Sequence, residues 1–120
     1  MFNHQYALKR LKDDGYKLAV CSNSIRKTIE TLMELSSLSH NLDIIISNQD
    51  VENGKPNPEM YLKAMNNLGV EASECLILED NPHGIEAAVA SGGHLLKVGL
   101  PQEVTYQAIK ARISEIEILT

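Results

Sequence analysis

The sequence has little in it to break or repeat a chain. Only 7 glycines and 4 prolines occur in 120 residues, which excludes fibrous and disordered classes. It has no excess of positive charge either. Eleven Lys and Arg stand against 16 Asp and Glu, a formal net charge of -5, so nothing marks a face for a phosphate backbone and no nucleic-acid partner is expected. No apolar run approaches the ~18 residues that cross a bilayer, and residues 1–15 lack the apolar stretch of a signal peptide. A cytoplasmic protein without membrane contact is expected. Cysteine is scarce too: Cys21 and Cys75 lie in separate apolar runs, and no histidine stands near them at zinc-ligand spacing. Both are expected as reduced core residues.

What is present is an alternation of helical and strand periods, the pattern of an α/β domain with a largely parallel sheet. Residues 4–14 place Ala7, Leu8 and Leu11 on one helical face, and Gly15 follows. Lys17 to Cys21 reads as a buried strand. Ser22, Asn23 and Ser24 can cap the next helix, which runs to about Ser36 through Ile25, Ile29, Leu32 and Met33. A strand at 43–46 leads to a polar loop over 47–57, and Asn57-Pro58 opens a helix that Gly69 closes. Cys75 to Leu78 is the third strand, ending in Glu79-Asp80. A helix over about 83–91 stops at Gly92-Gly93, and His94 to Val98 is the fourth strand. Ala108, Ile109, Ile113 and Ile116 mark a closing amphipathic helix, with Ile116 to Thr120 readable as extended chain as well.

Polar residues stand where these strands give way to loops. In an open parallel sheet the carboxyl ends of the strands form the ligand crevice, so residues distant in sequence converge there. Ser22 offers a hydroxyl, Lys55 an ammonium, and Glu79 with Asp80 a pair of carboxylates for a hard divalent cation such as Mg²⁺. Each has a plainer reading: Ser22 as a helix cap, Lys55 as a solvated loop lysine, Glu79-Asp80 as charge favoured at a helix N-terminus. Together they are the parts phosphoryl transfer needs, because that chemistry rests on positioning and on neutralising the transferring oxygens.

The strings Gly54-Lys55-Pro56-Asn57-Pro58-Glu59 and Leu76-Ile77-Leu78-Glu79-Asp80-Asn81-Pro82-His83-Gly84-Ile85-Glu86-Ala87-Ala88, preceded by an apolar strand ending in Ser22, resemble the haloacid dehalogenase superfamily. Within it the resemblance is to the β-phosphoglucomutase-like phosphatases, over about residues 5–100. It implies a three-layer α/β/α, Rossmann-like core and a Mg²⁺-dependent phosphatase or phosphomutase acting on a small phosphorylated metabolite. It also implies roles: Ser22 and Asn23 on the phosphoryl group, Lys55 bridging that group to the nucleophile, and Glu79 and Asp80 on the metal. His83 is read as a first-turn helix residue sooner than as a substrate contact.

The departure from the family is large. Its members carry an Asp-x-Asp at the end of a first, central strand, where the first Asp attacks phosphorus; no Asp-x-Asp occurs anywhere in this chain, and the cap domain is absent. Residues 1–120 are therefore expected as a single partial core domain, a fragment inactive alone that binds Mg²⁺ weakly or not at all. The alternative is a non-catalytic binding or assembly module on the same scaffold. A response-regulator receiver has similar parts but places its acidic pair after the first strand and its Lys after the last, the reverse of the order here.

The missing strand would lie between the strand ending at Ser22 and the strand ending at Glu79. The gap is expected to be one strand wide, roughly 9–10 Å between backbones. Self-association by strand exchange, a missing N-terminal segment, or insertion of the 116–120 tail is expected to fill it in preference to direct closure, which would mismatch the helices packed on both faces.

Overall fold

The computed structural model describes residues 2–119, with side chains from His4 onward. Helix α1 (Phe2–Asp13) leads into strand β1 (Ala19–Cys21), helix α2 (Arg26–Leu35) and strand β2 (Ile44–Ile46). Helix α3 (Glu59–Leu68), strand β3 (Leu76–Glu79), helix α4 (Pro82–Ser91), strand β4 (His94–Lys97) and helix α5 (Tyr106–Leu119) follow. The elements are those the apolar periods predict, with ends moved by a residue or two.

The sheet is in two pieces. β1 pairs in parallel with β2, Ala19 opposite Ile44 and Cys21 opposite Ile46, while β3 pairs in parallel with β4, Leu76 opposite His94 and Glu79 opposite Lys97. No strand among the described residues joins the halves. The hydrogen bonds show which edges are left. Leu18 O accepts from the Asp43 N–H at 2.7 Å and the Ser22 N–H donates to Ile46 O at 3.0 Å, so Leu18, Val20 and Ser22 turn their backbone groups toward β2. Ala19 and Cys21 turn theirs the other way. Cys75 O and Glu79 O accept from the N–H groups of His94 and Val98, so Leu76 and Leu78 face away from β4. The halves have not paired directly, and Ala19 and Cys21 on β1 and Leu76 and Leu78 on β3 lie on edges that no strand among the described residues covers.

Helices bridge the break on both faces. On one, Ala7 and Leu11 of α1 and Ile109 and Ile113 of α5 cover Leu18, Leu76, Leu78 and Leu96. On the other, α3 reaches both halves, with Met60 and Ala64 against Ile44 and Ile46, and Tyr61 and Met65 against Ile77, Cys21 and the small residues Ala87 and Ala88 of α4. The result is a partial three-layer α/β/α core.

Two expectations fail. The 116–119 tail is the last turn of α5 and not an inserted strand, because α5 runs unbroken from Tyr106 and its Ile109 is anchored in the core; Thr120 lies outside the described residues. Nor do Ser22, Asn23 and Ser24 cap α2. Its N-cap is Ile25, without a side-chain bond, and the Arg26 N–H goes instead to Gln49 Oε1 at 2.9 Å. Gln49 belongs to a tight turn locked by Asp50, which accepts from the backbone N–H and hydroxyl of Ser47 and from Arg26 at 2.5 Å. Asn57 Oδ1 does accept the Glu59 N–H at 2.9 Å, but the N-cap of α3 is Pro58, one residue later than expected.

Candidate active site at the strand ends

β1 and β3 end at the same side of the molecule, around a concavity of about 380 Å³. Ser22 and Asn23 line it after β1, Lys55 enters from the loop after β2, and Asp80 and His83 follow β3. The residues that the sequence placed at strand ends do converge. Asp80, Asn23 and His83 are exposed, His83 in the first turn of α4.

Lys55, the cation expected at the site, is largely shielded from solvent. Its side chain is 12% exposed, and Nζ donates to Glu79 Oε2 at 2.7 Å and to Cys21 O at 2.8 Å. Cys21 O belongs to the open edge of β1 and Glu79 to β3, so one ammonium spans the two half-sheets. An ammonium has three protons, and these contacts leave one for a ligand. The Lys55–Pro56 peptide is cis.

Glu79 is 7% exposed and must be paired at that depth. Besides Lys55, the Tyr61 hydroxyl donates to its Oε2, and the Lys55 ammonium sits 5.1 Å from the Tyr61 ring centre. Burial first, and then this bond to an anion, raise the Tyr61 pKa. Gly84, in the first turn of α4, lies directly over the Glu79 carboxylate, where a Cβ would overlap it. Asn81 caps α4 by accepting the Gly84 N–H at 2.9 Å, which fixes that turn. Tyr61 escaped the sequence reading, and Asn81 and Gly84 stood in the third-strand motif without a role. A buried tyrosine on the apolar face of α3, six positions after Lys55, was the available sign, because its hydroxyl needs a partner.

The remaining residues divide the work. Ser22 Oγ accepts the Ser24 N–H at 3.2 Å, which leaves its proton for an acceptor in the concavity. Asn23 is turned toward the chain itself, with Oδ1 accepting the Lys55 N–H at 3.0 Å and Nδ2 donating to Lys55 O at 3.2 Å. Burial pushes the Cys21 thiol up to about 11, with Lys55 opposing, so it is protonated near neutral pH and no nucleophile. Among the described residues no three His, Cys, Asp or Glu side chains gather to hold a metal. Glu79 already serves Lys55 and Tyr61, and of the carboxylate pair Asp80 is the exposed one, so the described residues do not supply a closed oxygen cage for Mg²⁺.

No helix among the described residues is long and apolar enough to cross a membrane. The comparisons agree with the geometry. The sequence profile of the haloacid dehalogenase-like hydrolases matches residues 2–98. Pyrophosphatase PpaX of Halalkalibacterium halodurans is 39% identical over 92 residues, 77% of this chain and 43% of that protein. Among solved structures, a HAD-superfamily hydrolase from Geobacter sulfurreducens aligns with a TM-score of 0.76 and 28% identity over 82% of this chain and 50% of its own. A β-phosphoglucomutase from Clostridium difficile shares the fold, with a TM-score of 0.83 at 20% identity over 97% of this chain and 57% of its own. The chain thus spans less than half of the curated relative. Its profile match, its relatives and the convergence of Ser22, Lys55 and Asp80 at the ends of a split parallel sheet lead to one assignment: the chain belongs to the haloacid dehalogenase-like hydrolases.

Proposed function

We propose that this chain is the phosphate-holding part of a phosphohydrolase site for small phosphorylated metabolites, and that it is catalytically silent by itself. The observation that carries the reading is the meeting of the free Ser22 hydroxyl proton, the third Lys55 proton and the Asp80 carboxylate around one concavity. Ser22 donates to a phosphoryl oxygen. Lys55 neutralises the charge that grows on the transferring oxygens, and its burial strengthens the effect by excluding water. Asp80 is the donor this chain brings to Mg²⁺, which would polarise the phosphoryl group when further oxygens complete its shell; Glu79 holds Lys55. Relatives named as pyrophosphatases make inorganic pyrophosphate one substrate to try in a completed site.

Nothing here attacks phosphorus. The chain has no Asp-x-Asp, Cys21 is held protonated, and Glu79 is buried behind Lys55. Titration with inorganic phosphate, followed by amide NMR, tests the binding half of the reading. Shifts should cluster at Ser22, Lys55 and Asp80 with a dissociation constant near the millimolar range, about 4 kcal/mol, and should vanish in Lys55→Gln. Shifts confined elsewhere would sink it.

The open inner edges favour a second reading beside the first, an assembly role. The backbone groups of Ala19, Cys21, Leu76 and Leu78, on edges no strand covers among the described residues, can pair with an extended segment from a second copy or from another polypeptide. Light scattering at micromolar concentration should then show dimer that dissociates on dilution; monomer at every concentration would remove the self-exchange form of this reading.

A further inference from the structure

We infer that Asn23 is a positioning residue for Lys55 and not a phosphate ligand. This rests on the reading of Lys55 as the phosphate-facing cation, and it reassigns a residue that the family resemblance sends to the phosphoryl group. Asn23 and Lys55 come from different loops, one after β1 and one after β2. The Asn23 amide takes both backbone groups of Lys55, the N–H at 3.0 Å and the carbonyl at 3.2 Å, as a neighbouring strand would. A single side chain thereby fixes the peptide on each side of one residue. The Lys55 side chain then has a fixed origin from which Nζ reaches Cys21 O and Glu79.

Gly54 completes the clamp. A Cβ built there would lie 2.5 Å from Asn23 Oδ1, closer than side-chain carbons approach an oxygen, so the amide fits only because position 54 has no side chain. Its φ is not in the left-handed region, so alanine at 54 meets no backbone strain, and the collision with Asn23 is the effect to be read. One Nδ2 proton of Asn23 is left over. The positioning and ligand roles are therefore distinguished by measurement on the full chain.

The first measurement needs no ligand. In Asn23→Ala the Lys55 amide should exchange with solvent several-fold faster than in the parent, with the amides of β3 unchanged; Gly54→Ala should do the same. Lys55 exchange unaltered in both variants would overturn the clamp. The second measurement uses inorganic phosphate. Asn23→Ala should weaken binding by about five-fold, the worth of about one hydrogen bond. The same change should have almost no effect in a Gly54→Ala background, where the clamp is already broken and Lys55 is kept, because residues that act through one another are not additive. An equal loss in that background would show direct contact with phosphate and overturn the inference. If the parent binds no phosphate at Ser22 and Lys55, the functional reading fails, while the exchange measurement still decides whether Asn23 holds the Lys55 backbone. Gly54→Ala keeps the Lys55 side chain, so phosphate binding stays measurable in the background where the comparison is made.

Discussion

The two faces of the split sheet join the same halves by different means. Under α1 and α5 the buried contacts are apolar, Leu11 and Ile109 lying across Leu18 from one half and Leu76 and Leu78 from the other, with polar bonds such as Lys110 to Tyr16 and Arg112 to Leu95 O at the margin. Under α3 and α4 apolar contacts surround a buried ion pair, Lys55 with Glu79, braced by Tyr61. The apolar face tolerates its neighbours generically, as area removed from water does. The polar face is specific: each buried charge must keep its partner, and the geometry that satisfies Glu79 also aims Lys55 at the strand ends.

The difference can be broken one residue at a time. Lys55→Met leaves Glu79 buried with only Tyr61 and should cost about 3–5 kcal/mol in urea unfolding, and changing Glu79 to Met as well should recover most of that. A double variant no more stable than the single one would mean the pair is not a mutual requirement. On the apolar face, Leu11→Ala should cost about 2–4 kcal/mol through a cavity, with no recovery available from a polar partner and no change between about pH 6 and about pH 8.

Gly84→Ala sharpens the contrast by its sign. Alanine for glycine inside a helix ordinarily stabilises by about 0.5–1 kcal/mol. Here the methyl overlaps the Glu79 carboxylate, so a loss of about 1–3 kcal/mol is expected in the same unfolding assay. Stabilisation would show that Glu79 can move off Lys55 freely. The smallest effect lies outside both faces. Asp43, bonded by Lys12 and the Leu18 N–H, and Asp50, bonded by Ser47 and Arg26, have lowered pKa values in the folded chain. Their contribution is complete above the unfolded carboxylate value near 3.9 and is lost as pH falls through the lowered folded values. The thermal midpoint should decline below about pH 4, less steeply in Asp43→Asn; an identical slope in that variant would show that Asp43 contributes nothing.

Much of this was legible in the sequence. The apolar periods located the strands and α-helices, though not the short 3-10 turns between them, and the position of Ser22, Lys55 and Asp80 after strands predicted their convergence, because parallel strands deliver their carboxyl ends to one side. The break in the sheet was legible too, through the motif that is missing. What the sequence concealed were choices between partners. Ser22, Asn23 and Ser24 have the chemistry of a helix cap, but the Arg26 N–H is taken by Gln49 from a turn distant in sequence. Glu79 and Asp80 are adjacent, yet alternate along a strand end so that one is buried on Lys55 and the other exposed. The 116–119 tail carries isoleucine and leucine that suit a strand, and continuity with α5 decides for helix.

The account holds that this chain supplies the groups that hold a phosphoryl group and none that attacks it. The most direct test mixes the full chain and Mg²⁺ with a small phosphate ester, with and without a separate segment carrying an apolar strand that ends in Asp-x-Asp. The account predicts no turnover from the chain alone, and turnover with the segment that disappears in Lys55→Gln. Turnover by the repurified chain alone, lost in Lys55→Gln, would contradict it.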